Sequence, residues 1–84
     1  MDLQLSDQDI ETLLGTLCQE LGFCLPPVAA DRIRQNPPLT ADDFARAVLA
    51  GEGMPLELHL KEFRGVRNFV ADFELRRRAT GSTT

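Results

Sequence analysis

Residues 55–78, PLELHLKEFRGVRNFVADFELRRR, hold the longest helical periodicity in the chain and decide its fold. Leu56, Leu60, Phe63, Val66, Val70 and Phe73 fall within about 140° of one another on a helical wheel, the stripe by which a helix packs on a core. Leu58 and Phe69 lie outside that stripe and widen the apolar arc to roughly 200°. With a rise of about 1.5 Å per residue the helix would be roughly 36 Å long, more than the width of so small a domain. Either it overhangs its neighbours or it bends, and Gly65 is the natural place for a kink. Three arrangements account for the wide apolar arc. The helix is central and wrapped by the others, it turns at Gly65, or it keeps a surface for a partner.

Upstream, the chain marks three shorter helices. Ser6 followed by Asp9 has the form of a capping box, with Leu5 placed to staple onto Ile10. Ile10, Leu13, Leu14, Leu17 and Leu21 then recur on one helical stripe, and Gly22 is a left-handed stop after which Phe23 folds back. Pro26 and Pro27 begin a short helix that ends at Asn36-Pro37-Pro38. Thr40, with Asp43 three places on, caps a third helix in which Ala41 and Ala45 are small enough for close approach. Gly51-Glu52-Gly53 terminates it.

The 84 residues, 43% hydrophobic and 26% charged, can enclose one apolar centre, which leaves no room for a second domain. The expected fold is all-α: a compact four-helix domain over residues 1–78, with helices near 6–22, 28–35, 41–50 and 55–78. The long C-terminal helix, continuous or kinked at Gly65, should lie across the first three. Its core should comprise Ile10, Leu13, Leu14, Leu17, Leu21, Ile33, Phe44, Val48, Leu60, Phe63, Val66, Val70 and Phe73. Residues 79–84 have nothing to bury and read as a disordered tail. No repeat, heptad array or strand alternation is present.

The net charge of −4 hides a gradient. Residues 1–31 carry six acids and no base, whereas residues 64–84 carry five arginines against Asp72 and Glu74. An acidic helix beside a basic one explains this within one fold or across a dimer. Alternatively, Arg76, Arg77 and Arg78, with Arg64 and Arg67 upstream, could neutralise phosphates. Against nucleic acid, the would-be recognition helix opens with Asp42 and Asp43, and the chain has no Tyr or Trp to stack on bases. No basic segment precedes an apolar one at the N-terminus, and no run approaches the roughly 20 apolar residues that span a bilayer. A cytoplasmic protein without membrane attachment is expected. Cys18 and Cys24 read most simply as buried or half-buried thiols in a reducing compartment.

The inventory for chemistry is thin. Zinc would have to draw on Cys18, Cys24, His59 and carboxylates at spacings unlike a knuckle, so no metal or other cofactor is expected. A cysteine nucleophile would depend on the single histidine without supporting context. Asp42 and Asp43 suit the first turn of a helix, where acids are stabilised by its dipole. His59 and Arg67 fall on the apolar stripe. They read as a boundary histidine and an arginine whose stem packs while its head reaches water or an acid from the first helix. In a contact surface they would be a pH sensor and a carboxylate anchor.

The segments Asn36-Pro37-Pro38-Leu39-Thr40, Phe44-Ala45-Arg46-Ala47-Val48 and Glu52-Gly53-Met54 resemble a group of short uncharacterised bacterial proteins. These share an Asn-Pro-Pro turn, a Phe-Ala-x-Ala-Val helix and a Glu-Gly-hydrophobic turn before a final helix. The resemblance covers the middle third of the chain. It implies a bacterial source and an all-helical fold, and it assigns no activity.

The expected function is a non-catalytic protein interaction or regulatory module rather than an enzyme. Its contact surface would be the wide face of the last helix, with Leu58 and Phe69 at the centre and Glu62, Arg64 and Arg76 at the rim. The partner would be a second copy, giving a homodimer, or a foreign protein. A nucleic-acid-associated regulator using Arg76, Arg77 and Arg78 is the alternative.

Overall fold

Ser6 and Asp9 close the start of the first helix reciprocally. The Asp9 N–H donates to Ser6 Oγ at 3.1 Å, and the Ser6 N–H donates to the Asp9 carboxylate at 3.0 Å, so two of the helix's orphan donors are satisfied. Helix α1 runs over Asp7–Thr16 and continues into a wider π turn, Leu17–Leu21, that ends at Gly22 with φ 80°. Helix α2 spans Pro27–Gln35, with proline at a position where no N–H is needed. Helix α3 spans Ala41–Gly51, and Thr40 Oγ1 caps it by accepting from the Asp43 N–H at 3.0 Å. A 3₁₀ turn, Leu56–Leu58, leads into helix α4, Leu60–Ser82. The structure, a computed structural model, describes the backbone of residues 5–82 and the side chains of residues 5–77. Among the described residues there is no strand, and the all-α expectation holds.

Helix α3 is the central element. Phe44, Ala45, Val48 and Leu49 on it are all essentially inaccessible, because it packs on α4 most extensively and on α2 behind. The small side chains allow this. A Cβ added at Gly51 would sit 2.8 Å from Leu25 Cδ2 and 2.9 Å from Ala29 Cβ, so the C-terminal turn of α3 touches α2 and the segment before it only because the side chain is missing there. The radius of gyration is 12.2 Å, close to the roughly 12 Å of a compact chain of this length.

The last helix departs from expectation in two ways. It does not begin at Pro55. Residues 55–59 must turn the chain from α3 onto α4, and the 3₁₀ turn does so while Leu56 packs against the core. Leu58 is consequently on that turn and 76% exposed, not on the helix with Phe69. Nor does the helix end at Arg78: α4 runs through Ser82, and of the two courses left open at Gly65 it takes the continuous one. Its 23 residues, about 34 Å at the α-helical rise, exceed the 24 × 23 Å cross-section and fit only the 41 Å axis. Thr83 and Thr84, in the expected tail, lie outside the described residues.

Of the expected core, Ile10, Leu13, Leu17, Ile33, Phe44, Val48, Phe63, Val66 and Val70 are buried, with Leu14 and Phe73 packed against them. Leu60 is 50% exposed, because α4 begins there and its side chain belongs to an uncovered first turn. Leu21 is 41% exposed, because the π turn carries it off the stripe that α-helical spacing would give it. Ala30, Ala45 and Leu49 join the core instead.

Cys18 and Cys24 are a disulfide and not the expected thiols, with Cα atoms 4.3 Å apart. The left-handed Gly22 reverses the chain and the Phe23 N–H donates to the Leu17 carbonyl at 3.2 Å, which lays Cys24 alongside Cys18. The reducing-compartment reading rested on free thiols and loses that support. No helix among the described residues is long and apolar enough to cross a membrane.

Gly51→Ala should destabilise the fold by about 1–3 kcal/mol through overpacking, read as a fall in the urea midpoint at unchanged slope. An unaltered midpoint would show that α2 can retreat without cost.

Candidate functional site

The basic end of α4 is drawn onto the acidic start of α1. Arg77 Nε lies 3.5 Å from Asp9 Oδ2 and 3.5 Å from Glu74 Oε2. Glu74 is 6% exposed, so this cation reaches into the protein and not outward. Arg67 behaves similarly. Its guanidinium sits 5.9 Å from the Phe63 ring centroid, with Nε 3.8 Å from Asp42 Oδ1, so the acid it reaches belongs to α3 and not to the first helix. On the far side, Arg34 of α2 pairs with Glu11 of α1, and with Asp31 at 2.6 Å. Hydrogen bonding to Glu11 is the main reason its pKa lies above the usual arginine value. The acidic-beside-basic arrangement is thus realised within one chain.

These pairings thin out the alternative phosphate-binding cluster. Arg77 is engaged with acids, Arg76 lines a cleft with Glu20 and Asp72, and the Arg78 side chain lies outside the described residues. Arg64 is exposed on a different side of α4, roughly 140° from Phe69 at the α-helical 100° per residue.

What remains is an edge of α4. Glu62, Phe69 and Arg76 recur at intervals of seven, so they lie within about 40° of one another. Phe69 is half-buried and packed against the core. It lines a narrow cleft between α4 and the end of α1, formed by Thr16, Glu20, Phe69, Asp72, Phe73 and Arg76. Arg76 has no acid within ion-pair distance among the described residues, and Glu62 has only His59 Nδ1, at 3.6 Å. Gly65 on the same edge is exposed, and nothing lies within 4 Å of the position its Cβ would take. The structure therefore brings Glu62, Phe69 and Arg76 together and places Leu58 and Arg64 elsewhere. Thr16 and Glu20 were not legible as members, since their place in the cleft depends on the π turn.

A second, shallower hollow is apolar and lies under the 3₁₀ turn, formed by Leu49, Ala50, Met54, Pro55 and Leu56 with Arg46 at its margin. It offers no convergent polar groups. Among the described residues, no three His, Cys, Asp or Glu side chains gather to hold a metal. Compared with protein-family models, with curated proteins and with solved structures, the chain matches none.

Arg77→Met keeps the stem and removes the charge between Asp9 and Glu74. Stability should fall by about 1 kcal/mol or more, and the deficit should shrink in concentrated salt as the lost attraction is screened. Equal urea midpoints for the two chains would show that Arg77 contributes nothing to the fold.

Proposed function

We propose that this chain is a non-catalytic interaction module that docks through the Phe69 edge of α4, and that its partner is a second copy of itself. The observation that carries this reading is a numerical symmetry. Phe69 lies midway between Glu62 and Arg76, about 10.5 Å along the helix from each. Two α4 helices crossing antiparallel about Phe69 therefore bring Glu62 of each copy level with Arg76 of the other. The same two-fold brings Phe73 level with Gly65, where bare backbone leaves room for a ring. One patch is thus complementary to itself, as a closed two-fold dimer requires.

The chemistry of the edge suits such a contact. Phe69 and Phe73 supply an apolar centre already fixed on one side by the core, so ordering them further costs little side-chain entropy. Glu62 and Arg76 form a charged rim that sets orientation, because a parallel approach would oppose like charges. The internal pairing of Arg67 and Arg77 weighs against a nucleic-acid role, since it engages two of the five arginines of residues 64–78 with acids of the same chain.

Phe69 itself is a poor probe because it also packs on the core. Charge exchange at the rim is cleaner. In sedimentation experiments the chain should have twice its sequence mass. Glu62→Arg and Arg76→Glu should each weaken dimerisation by about tenfold or more through like-charge opposition, with unchanged thermal stability of the monomer. Glu62→Arg combined with Arg76→Glu should restore it. A monomer at all soluble concentrations, or failure of the double exchange to restore what each single exchange lost, overturns the self-docking geometry.

Gly65→Ala separates fold from contact. In an exposed helix interior it should raise monomer stability by up to about 1 kcal/mol, while weakening dimerisation by crowding the facing Phe73. Tighter dimerisation in this variant would be incompatible with the crossing proposed here.

A further inference from the structure

Residues 17–21 are wound in one register and patterned for another. Continued as an α-helix from Leu17, Leu21 would point within roughly 20° of Ile10 and complete the buried stripe of Ile10, Leu13, Leu14 and Leu17. The π turn winds less per residue, so Leu21 falls behind and stays 41% exposed. An ordinary left-handed stop joins residues five apart. Here the Phe23 N–H bonds the Leu17 carbonyl, six apart, and the Cys18–Cys24 disulfide spans the same separation of six. Bond and cross-link brace the same widened closure. In the α register Phe23 would instead close on Cys18, and Cys24 would be carried past it.

We propose that Cys18–Cys24 is a thiol–disulfide exchange site whose co-substrate is a dithiol, and that its reduction switches residues 17–21 from the π to the α register. Cys24 is exposed and Cys18 half-buried, so Cys24 Sγ is the sulfur open to attack. A thiolate of the dithiol bonds to Cys24 Sγ, the Sγ–Sγ bond breaks, and its electron pair leaves on Cys18 Sγ, which takes a proton. The second thiolate of the reductant attacks the reductant's own sulfur in the mixed disulfide and expels Cys24 as a thiolate, which is protonated. The dithiol becomes a cyclic disulfide, and the protein gains two electrons and two protons. With the clasp open, nothing covalent holds the wider turn, and Leu21 rotates onto the buried stripe.

The switch reaches the α4 edge, since Glu20 sits on the π turn and lines the cleft with Phe69 and Arg76. That consequence rests on the docking reading above, whereas the register change does not.

The test compares the full chain unreduced, the full chain treated with dithiothreitol, and the Cys18→Ser, Cys24→Ser double variant, by nuclear magnetic resonance. Thiol titration should find no free thiol before reduction. On reduction, and equally in the double variant, backbone contacts across residues 17–21 should change from the i,i+5 to the i,i+4 pattern. The Leu21 methyls should lose severalfold of their broadening by a dissolved paramagnetic agent. Persistence of the i,i+5 pattern without the disulfide, loss of all helical contacts over 17–21, or free thiols in the unreduced chain overturns the proposal. Repeating the measurements on Glu62→Arg, where self-docking is suppressed, should reproduce the register change; its absence there would overturn independence from the dimer.

Discussion

The burial of the inner face of α3, Phe44, Ala45, Val48 and Leu49, is the constraint on which the rest of the molecule depends. An 84-residue chain encloses only one apolar centre, and a short helix supplies its middle while Asp42, Asp43, Arg46 and Ala50 on the other face of that helix stay exposed. Phe44, Ala45, Val48 and Leu49 fill its buried faces, and small residues at positions 45 and 51 set how closely α2 and α4 approach. Because α3 takes the central place, α4 cannot. The long helix lies along the outside, one side sealed against α3 and an edge left to water.

That division explains why the apolar arc of residues 55–78 was legible while its meaning was not. Reading one helix from Pro55 placed Leu58 and Phe69 on a common cylinder. The chain instead spends residues 55–59 on reversing direction, and a 3₁₀ turn at three residues per turn shifts every subsequent side chain relative to Leu58. Phe69 kept its place on the helix because the α4 periodicity from Leu60 onward is unbroken. The helix caps at Ser6 and Thr40, the proline start of α2 and most of the core were legible because each depends on residues a few places apart. The cleft was not, because it depends on where the end of α1 meets α4.

The π turn is the clearest case of a local pattern overridden by a cross-link. Periodicity at 10, 13, 14, 17 and 21 reports what burial favours, and it favours an α-helix to the end. Nothing in that periodicity registers a covalent bond between residues six apart, so the sequence-based expectation put Leu21 in the core and left both cysteines as thiols. The same disagreement identifies a segment with two competing windings, one favoured by side-chain burial and one by the disulfide. A helix end without such a cross-link would offer no second state to select.

The position of that segment ties the two halves of the molecule together. Residues 16 and 20 flank the Cys18 bridgehead and also wall the cleft that Phe69 lines, so the winding of the π turn and the shape of the docking edge are set by the same few side chains. Where winding alters docking affinity, linkage requires the converse by the same factor: docking must alter the ease with which the disulfide is reduced. The sign of the coupling reports what Glu20 does in the cleft it shares with Arg76. If the π register presents Glu20 where it competes with the facing Glu62 for Arg76, a dimer favours the α register and eases reduction. If Glu20 instead steadies Arg76 for the contact, the dimer protects the bond. The ratio of the disulfide's reduction equilibria in the wild-type chain and in Arg76→Glu measures that coupling directly, and a ratio of one would mean that cleft and clasp, though adjacent, are energetically separate.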